Sequence, residues 1–499
     1  MARDHILAID QGTTSTRVVV YDDRLKPAGS AQIEVSPSFP RPGWVEHDPS
    51  ALVASATTLI PKAVAAARLS ADRIACVGIT NQRETTVVWD RATGSPIYPA
   101  IVWQDRRTAD ACRALAEHAG RIAELTGLVI DPYFSATKIC WILDHVLGAR
   151  ARANAGDLAA GTVDSYLLWC LSKGSIHATD VTNASRTSLM DLRAREWSDE
   201  LCGLFDVPRE ILPRIVPSYG TLGATSGLGS GFDGIPICGI AGDQHASLIG
   251  HGCVSAGQAK CTYGTGAFLL VHTGSRPVAS RHGLLTTLAA SAEGAEARYA
   301  LEGSVFTAGA AVQWFRDGLK AIGDAPMIDQ LSLEANSESE LIFVPALSGL
   351  GAPHWSPEAR GTIFGVTRGT SVADLARATL EGIAFETADL VTAAAADLGA
   401  PIGELRVDGG LARSDPFLQY QADLLGAPIR RGAETESTAL GAALLAAVGV
   451  GLLSDLETAV KLLDTGGRVF SPRVDAATRD RKIERWRRAV ETVVHHYQK

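Results

Sequence analysis

One pattern recurs near the start of each half of this chain: an apolar strand, a turn rich in glycine and threonine, and a second apolar strand. The first copy is HILAIDQGTTSTRVVVYD, residues 5–22, and the second is AKCTYGTGAFLLVHT, residues 259–273. Runs of β-branched residues on both sides of a short glycine turn are typical of β-hairpins. Because 499 residues exceed one ordinary domain, the recurrence predicts two related α/β domains, 1–250 and 251–499, with a cleft between them.

Three apolar strands of the predicted fold end in an acidic residue. HILAID ends at Asp10, PICGIAGD ends at Asp243, and ELRVDGG places Asp408 before two glycines. Further strands are predicted for IACVGIT, TTVVWD and AIVWQD, and helices are predicted over 106–125, 305–319 and 374–398. Strands mixed with helices of this length favour an α/β architecture.

The composition narrows the classes of partner. The net charge of −9 provides no broad basic field for nucleic acid or an anionic membrane. The longest apolar run, residues 439–453, is short for a bilayer and predicts a buried helix, and the N-terminus does not resemble a signal peptide. Eight cysteines without a CxxC pair indicate reduced thiols, so we expect a cytoplasmic protein. From the charge and the short apolar run, we expect neither nucleic-acid binding nor stable membrane insertion.

Several common catalytic motifs are excluded by the sequence or by its context. There is no GxxxxGK[ST], no GxSxG and no HExxH. The run Gly229–Gly234 matches GxGxxG, but it precedes a strand instead of joining a strand to a helix, so a flexible loop is favoured. His245 lies close to Asp243 in the chain, but chain neighbours point in different directions and a catalytic dyad is disfavoured.

The remaining polar residues fit the needs of phosphoryl transfer, which are donors around phosphates, a magnesium site and a base. In DQGTTSTR, Gly12 allows a close backbone approach, the hydroxyls of Thr13–Ser15 can donate to oxyanions, and Arg17 adds a positive charge. TYGTG around Thr265 is a second turn of this kind. Either turn alone also fits an ordinary hairpin, whereas the two together make a two-sided phosphate clamp plausible.

Other candidates have two interpretations each. In NQRE, Arg83 can donate to and Glu84 can accept from the hydroxyls of one polyol, yet the same residues fit a solvated loop. Trp103 and Phe268 fit either the core or the apolar face of a polyol pocket. The glycines after Asp408 fit either a ligand or a tight turn. The residues alone do not decide which of the three acids is the catalytic base.

A set of motifs along nearly the whole chain resembles the FGGY family of carbohydrate kinases, and within it the members that act on glycerol. The motifs are DQGTTSTR, GITNQRETTVVWD, IVWQDRRT, TGLVIDPYFSATKICWILDHV, GTVDSYLLW, TDVTNASRT, GIAGDQHASL, TYGTGAF, ALEGSVFTAGAAVQW, GLGAPHW, ARGTIFG and RVDGG. The resemblance implies two actin-like, ribonuclease-H-like ATPase domains around a central nucleotide and substrate cleft. It also implies ATP and Mg²⁺ as cofactors, and phosphorylation of glycerol to sn-glycerol 3-phosphate.

The resemblance assigns roles to matching positions of this chain. Asp243 would be the catalytic base, and Asp10 and Asp243 would hold magnesium. Glycerol would be bound by Arg83, Glu84, Trp103, Tyr133, Asp243, Gln244 and Phe268. The nucleotide would be bound by Thr13, Thr14, Ser15, Arg17, Thr265, Gly309, Gln313, Gly410 and Ser414. We expect a homodimer or homotetramer.

The sequence departs from the family pattern at a few points. Ser414 stands where a nucleotide-contacting Asn is usual, Gly234 stands where some relatives place an effector-binding Arg, and residues 216–226 contain no His. Inhibition by fructose 1,6-bisphosphate and control by His phosphorylation are therefore not expected. Two rival interpretations remain at this point: a family member acting on a ketose or a sugar acid, and a non-catalytic protein of the same ATPase fold.

Overall fold

A computed structural model describes residues 3–229, 231–432, 436–463 and 466–498. The chain divides into two compact units. Unit 1 comprises Met1–Val254, Thr286–Tyr299 and Glu436–Leu463, and unit 2 comprises Ser255–Leu285, Ala300–Thr435 and Asp464–Lys499. Ser230, inside the glycine-rich run noted above, lies outside the described residues. Within the described ranges, no helix has both the length and the apolar character that crossing a bilayer requires.

A mixed six-stranded sheet forms the centre of unit 1. Its strands, in spatial order, are Tyr219–Ala224, Pro236–Gly242, Ile74–Asn81, His5–Gln11, Ser15–Tyr21 and Pro27–Glu34. The strands Pro236–Gly242, Ile74–Asn81 and His5–Gln11 run parallel to one another, and the first predicted hairpin forms the antiparallel pair with Ser15–Tyr21. Parallel central strands bring their carboxyl ends to the same edge of the sheet.

Alternating side chains of this sheet build two separate apolar layers. Leu7 and Ile9 join a core with helix Pro49–Ala66, whereas Ile6 and Ala8 join a core with helix Ser437–Gly449. This division follows from the period of two along a strand. The second helix approaches very closely, since a Cβ on Gly78 would lie 2.2 Å from the carbonyl oxygen of Ala442. The apolar run near residue 440 is thus a buried helix, as predicted.

A smaller sheet in unit 1 contains Glu46–His47, Ala100–Ile101, Thr86–Asp90 and Leu158–Thr162. The predicted strand AIVWQD is wrong beyond Ile101, because the Asp105 carboxylate accepts from the backbone N–H of Val45 at 2.6 Å and of Arg107 at 2.8 Å, which turns the chain. The single helix predicted over 106–125 is also wrong. The backbone leaves the α conformation at Leu115 (φ −90°, ψ 5°), so two helices form, Ala109–Ala114 and Ala119–Thr126.

The other regular elements of unit 1 are short. The further helices are Ser135–His145, Ala149–Asn154, Val163–Leu171, Val181–Ala184, Asp199–Leu204, Asp243–Gly250 and Leu456–Ala459. The further strands are Ala178–Asp180 paired with Arg214–Val216, and Met190–Asp191 paired with Glu196–Trp197. The strand Leu285–Leu288 lies at the chain boundary between the two units.

Unit 2 has its own sheet around the second predicted hairpin. Six strands of this seven-stranded sheet are, in spatial order, Tyr299–Val305, Ala267–Gly274, Ala259–Tyr263, Leu405–Asp408, Ile429–Arg431 and Arg468–Phe470. Ala259–Tyr263 is antiparallel to Ala267–Gly274 and parallel to Leu405–Asp408. Ile342–Val344 and Thr362–Phe364 form a separate antiparallel pair.

The helices of unit 2 are Gly309–Gln313, Met327–Leu333, Val372–Leu398, Asp415–Leu425 and Ala476–Tyr497. The predicted helix 305–319 starts late, because the strand before it continues to Val305, and it ends in a π turn, Trp314–Gly318. The predicted helix 374–398 is confirmed as Val372–Leu398. It begins with a capping box of Ser371 and Asp374 and ends at Gly399, where the backbone is left-handed.

Candidate active site

The carboxyl-terminal edge of the unit 1 sheet gathers the residues that the sequence singled out. Gln11 lies opposite Asn81 in the parallel pairing, and Asn81 lies opposite Gly242. The chain therefore delivers Asp10, the Arg83–Glu84 pair and Asp243 to one edge. Ligands of open α/β sheets bind at such edges, where several strand ends contribute side chains.

Arg83 and Asp243 form an ion pair at this edge, with 3.1 Å between Nε of Arg83 and Oδ1 of Asp243. The Arg83 side chain is only 2% exposed and that of Asp243 is 28% exposed. Gly242 makes room for the pair, because a Cβ there would lie 2.5 Å from Cγ of Arg83. A second bond fixes Asp243, which accepts from the backbone N–H of the buried Gln244 at 2.7 Å. The carboxylate is thus both oriented and reachable.

The environment of Asp10 raises the pKa of its carboxyl group. Removal from water and, after it, the negative charge of Asp243 raise the pKa of Asp10 to about 7, and the charge of Arg17 opposes that rise. A buried carboxyl group whose pKa is raised by a second carboxylate is typical of a site that takes a cation. Carboxylate oxygens are ligands that hard cations such as Mg²⁺, Ca²⁺ and Mn²⁺ prefer.

The first Gly/Thr turn is closed by backbone bonds and held by side chains of unit 1. The Gly12 N–H donates to the Ser15 carbonyl at 2.9 Å, and the Gln82 side-chain amide donates to the Gly12 carbonyl at 3.1 Å. The Thr13 hydroxyl accepts from the Trp103 indole N–H at 2.9 Å. A recess of about 300 Å³ adjoins the turn and is lined by Thr14, Ser15, Gln32, Glu34, Val35, Ser36 and Pro37.

Arg17, the predicted phosphate contact, is held by two neighbours. Its Nε donates to the Gln32 side-chain carbonyl at 3.0 Å, and its guanidinium forms an ion pair with Glu436, just before helix Ser437–Gly449. The side chains of Arg17 and Glu436 are 28% and 33% exposed. Its charge therefore remains within reach of an incoming anion.

Trp103 and Tyr133 stand against each other beside Glu84. Their rings form an edge-to-face pair with centroids 5.7 Å apart, and Tyr133 is 8% exposed. The Trp103 backbone N–H donates to the Thr85 hydroxyl at 3.2 Å, which ties this aromatic wall to the NQRE segment. An aromatic wall beside paired hydrogen-bonding groups suits a small polyol, which has both C–H and O–H faces.

Glu84 has a partner that the sequence did not suggest. Arg186 Nε donates to Oε1 of Glu84 at 2.7 Å, and both side chains are at most 2% exposed. The guanidinium of Arg186 also lies 5.5 Å from the ring centre of Tyr133 and 5.2 Å from that of Phe134. Arg186 belongs to the motif TDVTNASRT but was not singled out as a site residue from the sequence. A separation of 102 residues from Glu84 left no local signal of the pair.

The segment 180–183, in the same motif as Arg186, also holds the ends of strands Ile74–Asn81 and Pro236–Gly242. Asn183 and Asn81 exchange two side-chain hydrogen bonds of 3.0 and 3.1 Å, and the Gly242 N–H donates to the Thr182 hydroxyl at 2.9 Å. Asp180 accepts from Asn183 and Thr182 side chains, each at 2.9 Å. These buried bonds fix the residues that precede Arg83 and Asp243.

Lys138 is a further residue that sequence patterns missed. It is fully buried on helix Ser135–His145, and its Nζ donates to the Tyr133 carbonyl at 2.6 Å. Burial lowers the pKa of Lys138 to about 8, although the charge of Glu84 and of other nearby acids opposes this. The sequence SATKICW does not indicate that its lysine is buried, because lysine side chains are usually exposed.

In unit 2, backbone hydrogen bonds hold the second Gly/Thr turn. The Gly309 N–H donates to the Gly264 carbonyl at 3.0 Å, and the Thr265 carbonyl accepts from Ala308 at 2.8 Å and from Ala310 at 3.1 Å. A Cβ on Gly309 would lie 2.6 Å from the Gly264 oxygen. The structure thus brings Thr265 and Gly309 together and leaves the Thr265 side chain exposed.

The strand end at Asp408 lies beside the same turn, since Thr262 pairs with Asp408 and a Cβ on Gly409 would lie 2.3 Å from the Tyr263 carbonyl oxygen. Gly410 is exposed there. Ser414 is 6% exposed and caps helix Asp415–Leu425, accepting from the Phe417 N–H at 3.1 Å.

The hydroxyl of Ser414 also donates to Asp329 at 2.6 Å, so both of its hydrogen-bonding functions are used within unit 2. Gln313 is exposed at the end of helix Gly309–Gln313, and Phe268 is partly buried on strand Ala267–Gly274. Ligand contacts of Ser414, Gln313 and Phe268 stay predictions.

Comparison with known proteins identifies the family to which this chain belongs. The N-terminal domain model of the FGGY family of carbohydrate kinases matches residues 5–250, and the C-terminal domain model of the same family matches residues 259–450. The glycerol kinase of Cereibacter sphaeroides is 52% identical over 496 residues, which cover 98% of this chain and 99% of that protein. The glycerol kinase of Alkalilimnicola ehrlichii is 51% identical over 487 residues and 97% of each chain.

The architecture is also found among solved structures. Plasmodium falciparum glycerol kinase with ADP superposes with a TM-score of 0.92 at 36% identity, covering 99% of this chain and 98% of that one. A mixed helix and sheet structure with two family domains, as the resemblance implied, is thereby confirmed.

Proposed function

Because the chain belongs to the FGGY family of carbohydrate kinases and is a kinase, we propose that it transfers the γ-phosphoryl group of ATP to a terminal hydroxyl of glycerol, giving sn-glycerol 3-phosphate and ADP. Relatives named glycerol kinase at about 50% identity over nearly the whole chain support glycerol as the substrate. The Plasmodium falciparum glycerol kinase, whose structure contains ADP, supports an adenine nucleotide.

The observation that carries this proposal is the Arg83–Asp243 ion pair beside the buried Glu84. A hydrogen-bond donor, an acceptor and a reachable carboxylate lie at one sheet edge, next to the Trp103–Tyr133 wall. These groups match a molecule with adjacent hydroxyls and little bulk. The carboxylates of Glu84, Asp243 and Asp10 disfavour a sugar acid, because its negative charge would face theirs.

Asp243 is the base in the proposed reaction. Its carboxylate accepts the proton of the terminal hydroxyl while that oxygen forms a bond to the γ-phosphorus and the bond from phosphorus to the ADP oxygen breaks. Glu84 accepts from a second hydroxyl of glycerol and Arg83 donates to an oxygen, so the attacking group is held in line. A loose transition state needs positioning more than strong basicity, so an ordinary carboxylate suffices.

Asp10 and Asp243 are the residues that fit a magnesium ion. The raised pKa of Asp10, caused by removal from water and by Asp243, is the behaviour of carboxylates arranged for a cation. When bound, Mg²⁺ would neutralise charge on phosphate oxygens. With that charge balanced, Asp10 would remain ionised at neutral pH.

The two Gly/Thr turns are the proposed phosphate contacts. In unit 1, Thr13, Thr14 and Ser15 offer hydroxyls, and Arg17 would exchange part of its pairing with Glu436 for a phosphate oxygen. In unit 2, Thr265 offers an exposed hydroxyl and backbone donors. Gly309, Gln313, Gly410 and Ser414 are the proposed nucleotide contacts of unit 2.

The finer assembly and location are proposals as well. We propose a homodimer or homotetramer in the cytoplasm. The eight cysteines are free thiols, and free thiols persist in a reducing compartment. Light scattering coupled to size exclusion would measure the mass of the assembly, and a monomer would contradict the proposed state.

The direct test of the catalytic assignment is Asp243→Asn, which retains the size of the side chain and removes its basicity. We expect kcat to fall by at least about 10²-fold, while ATP still binds. Glycerol-dependent ADP formation measures the first, and calorimetric titration with ATP measures the second. Near-normal turnover would refute the base assignment. A substrate panel that includes ketoses and sugar acids tests the choice of glycerol, and ADP formation that is independent of any polyol would favour a non-kinase ATPase.

A further inference from the structure

Arg186 connects two walls of the proposed polyol pocket. Its Nε donates to Oε1 of Glu84 at 2.7 Å, and its guanidinium lies over the rings of Tyr133 and Phe134. The Arg186 side chain is fully buried. A guanidinium in this environment has its charge met by Glu84 and by aromatic faces.

The charge of Glu84 depends on such a partner. A buried carboxylate is strongly destabilised unless it is paired, and in its neutral form it offers a weaker acceptor to a hydroxyl. The charged groups that face Glu84 from other elements are Arg186, from the segment after helix Val181–Ala184, and Lys138, from helix Ser135–His145. Arg83 is its neighbour in the chain. Of these, Arg186 makes the 2.7 Å contact with a carboxylate oxygen.

The backbone of Glu84 also requires a constraint. Its φ of 59° lies in the left-handed region, which is unfavourable for a residue with a side chain. The carbonyl is held by the hydroxyls of Ser135 and Thr86, each at 3.0 Å. The Arg186 contact then fixes the side-chain carboxylate, so that backbone and side chain are held independently.

We propose that Arg186 is a positioning residue for polyol binding: it keeps Glu84 ionised and oriented, and it packs behind Tyr133, without touching the substrate itself. This inference rests on the proposed function, because it assigns Glu84 and Tyr133 to the glycerol site. It predicts that loss of Arg186 weakens glycerol binding selectively and makes that binding depend on pH through Glu84.

The main test compares Arg186→Met with the unsubstituted enzyme. We expect KM for glycerol to rise by at least about 30-fold, because removing one member of a buried ion pair leaves the other charge uncompensated. KM for ATP should change by less than about 3-fold, and kcat/KM for glycerol should fall more with decreasing pH than in the unsubstituted enzyme, because an unpaired buried carboxylate is protonated more readily. A purely structural role predicts no such split and no new pH dependence.

Four further variants distinguish loss of the Glu84 contact from a general loss of folding. Arg186→Lys retains the charge and should restore part of the lost affinity and most of the original pH profile. Glu84→Gln with Arg186→Met removes the pair together, and relative to Glu84→Gln alone it should cost less than about 3-fold in KM for glycerol. Arg73→Met, which removes the ion pair of Arg73 with Asp4 at the other end of the same strands, is the control and should leave KM for glycerol unchanged.

The outcomes separate this inference from the function on which it rests. If the unsubstituted enzyme forms no ADP in response to glycerol, the proposed function fails. If it does, and Arg186→Met raises both KM values equally with an unaltered pH profile, only the positioning role fails. Independent, additive losses in the double variant would also overturn the role of Arg186 through Glu84.

Discussion

The two Gly/Thr hairpins look alike in the sequence, yet the structure supports them by different means. In unit 1 the turn lies among ionisable and polar side chains: Asp10 precedes it, Trp103 donates to Thr13, and Arg17 pairs with Glu436. In unit 2 the turn around Thr265 is held by backbone bonds from residues 308–310 and by glycines at close contacts. The difference indicates that the turn of unit 1 presents ionisable side chains, whereas the turn of unit 2 presents a shaped backbone surface.

The largest effect should come from removing the acid that only the first hairpin has. Asp10→Asn is expected to lower kcat by about 10²–10³-fold, since the carboxylate that we propose to hold a cation at the transferring phosphoryl group is lost. KM for glycerol should stay within about 3-fold, because Arg83 and Glu84 are untouched. Steady-state kinetics at several Mg²⁺ concentrations measure both quantities. An unchanged kcat would remove the distinction drawn between the two turns.

The second hairpin should respond to shape instead. In Gly309→Val, the new side chain would begin at a Cβ only 2.6 Å from the Gly264 oxygen, so the turn must move. We expect KM for ATP to rise by at least about 5-fold, the range of overpacking effects, with little change in KM for glycerol. Gly403→Val is the control in the same unit, because a Cβ at Gly403 has no atom within 4 Å. Equal effects of the two variants would contradict the backbone role.

A smaller effect should follow when the side-chain support of the first hairpin is removed. Thr13→Val deprives the Trp103 indole N–H of its acceptor and leaves the rest of the turn in place. We expect KM for glycerol and for ATP each to rise by about 5-fold, because an unsatisfied donor loosens the indole and the turn together. Thr13→Ser retains the hydroxyl and should behave like the unsubstituted enzyme. KM values for Thr13→Val that equal those of Thr13→Ser would speak against this coupling.

The smallest effect concerns stability. Glu386 is a buried acid outside the candidate site whose pKa is raised, as that of Asp10 is. Glu386, 5% exposed on helix Val372–Leu398 of unit 2, has its pKa raised well above the usual value by burial and then by Asp389. A raised carboxyl pKa means that the fold prefers the neutral form, so this stability is present at low pH and is lost as the pH rises through the raised value. Glutamine is neutral throughout.

We therefore expect Glu386→Gln to raise Tm by about 2–4 °C at pH 8, equivalent to about 1 kcal/mol, and by less at pH 5. Differential scanning calorimetry at both pH values measures this. The control is Glu381→Gln on the same helix, where Lys482 and Arg377 pair with the carboxylate at 2.9 and 3.2 Å, so no gain is expected. A gain for Glu386→Gln that shrinks with rising pH would refute the assignment of a neutral carboxyl.

Local patterns predicted the hairpins, the acids at strand ends and the helix over 374–398, because alternation, turn residues and helical periodicity depend on a few neighbouring positions. They failed where a distant group decides the backbone. The predicted strand after Ile101 is replaced by a turn, since Asp105 binds the backbone of Val45. The helix predicted over 106–125 is interrupted at Leu115, where the backbone leaves the α conformation, and the periodicity of the segment does not predict this break.

The candidate site shows the same division. Arg83, Glu84 and Asp243 were named from motifs that match a family, and the residues alone left three acids as equal candidates. The structure places Arg83 against Asp243, which no spacing rule provides. Arg186 and Lys138 were missed because charged letters usually indicate an exposed face, and their enclosure depends on elements far away in the chain.

The helix Ser437–Gly449, which covers one face of the unit 1 sheet, determines the order in which this protein can mature on the ribosome. The strands of that sheet are complete by Gly242, but the layer over Ile6, Ala8 and Gly78 comes from the far end of the chain. At about 5–20 residues per second, the roughly 200 residues between Val254 and Gly449 take about 10–40 s to be translated. A sheet that formed during that interval would expose an apolar face until the helix arrived, and a chaperone could protect it at this stage.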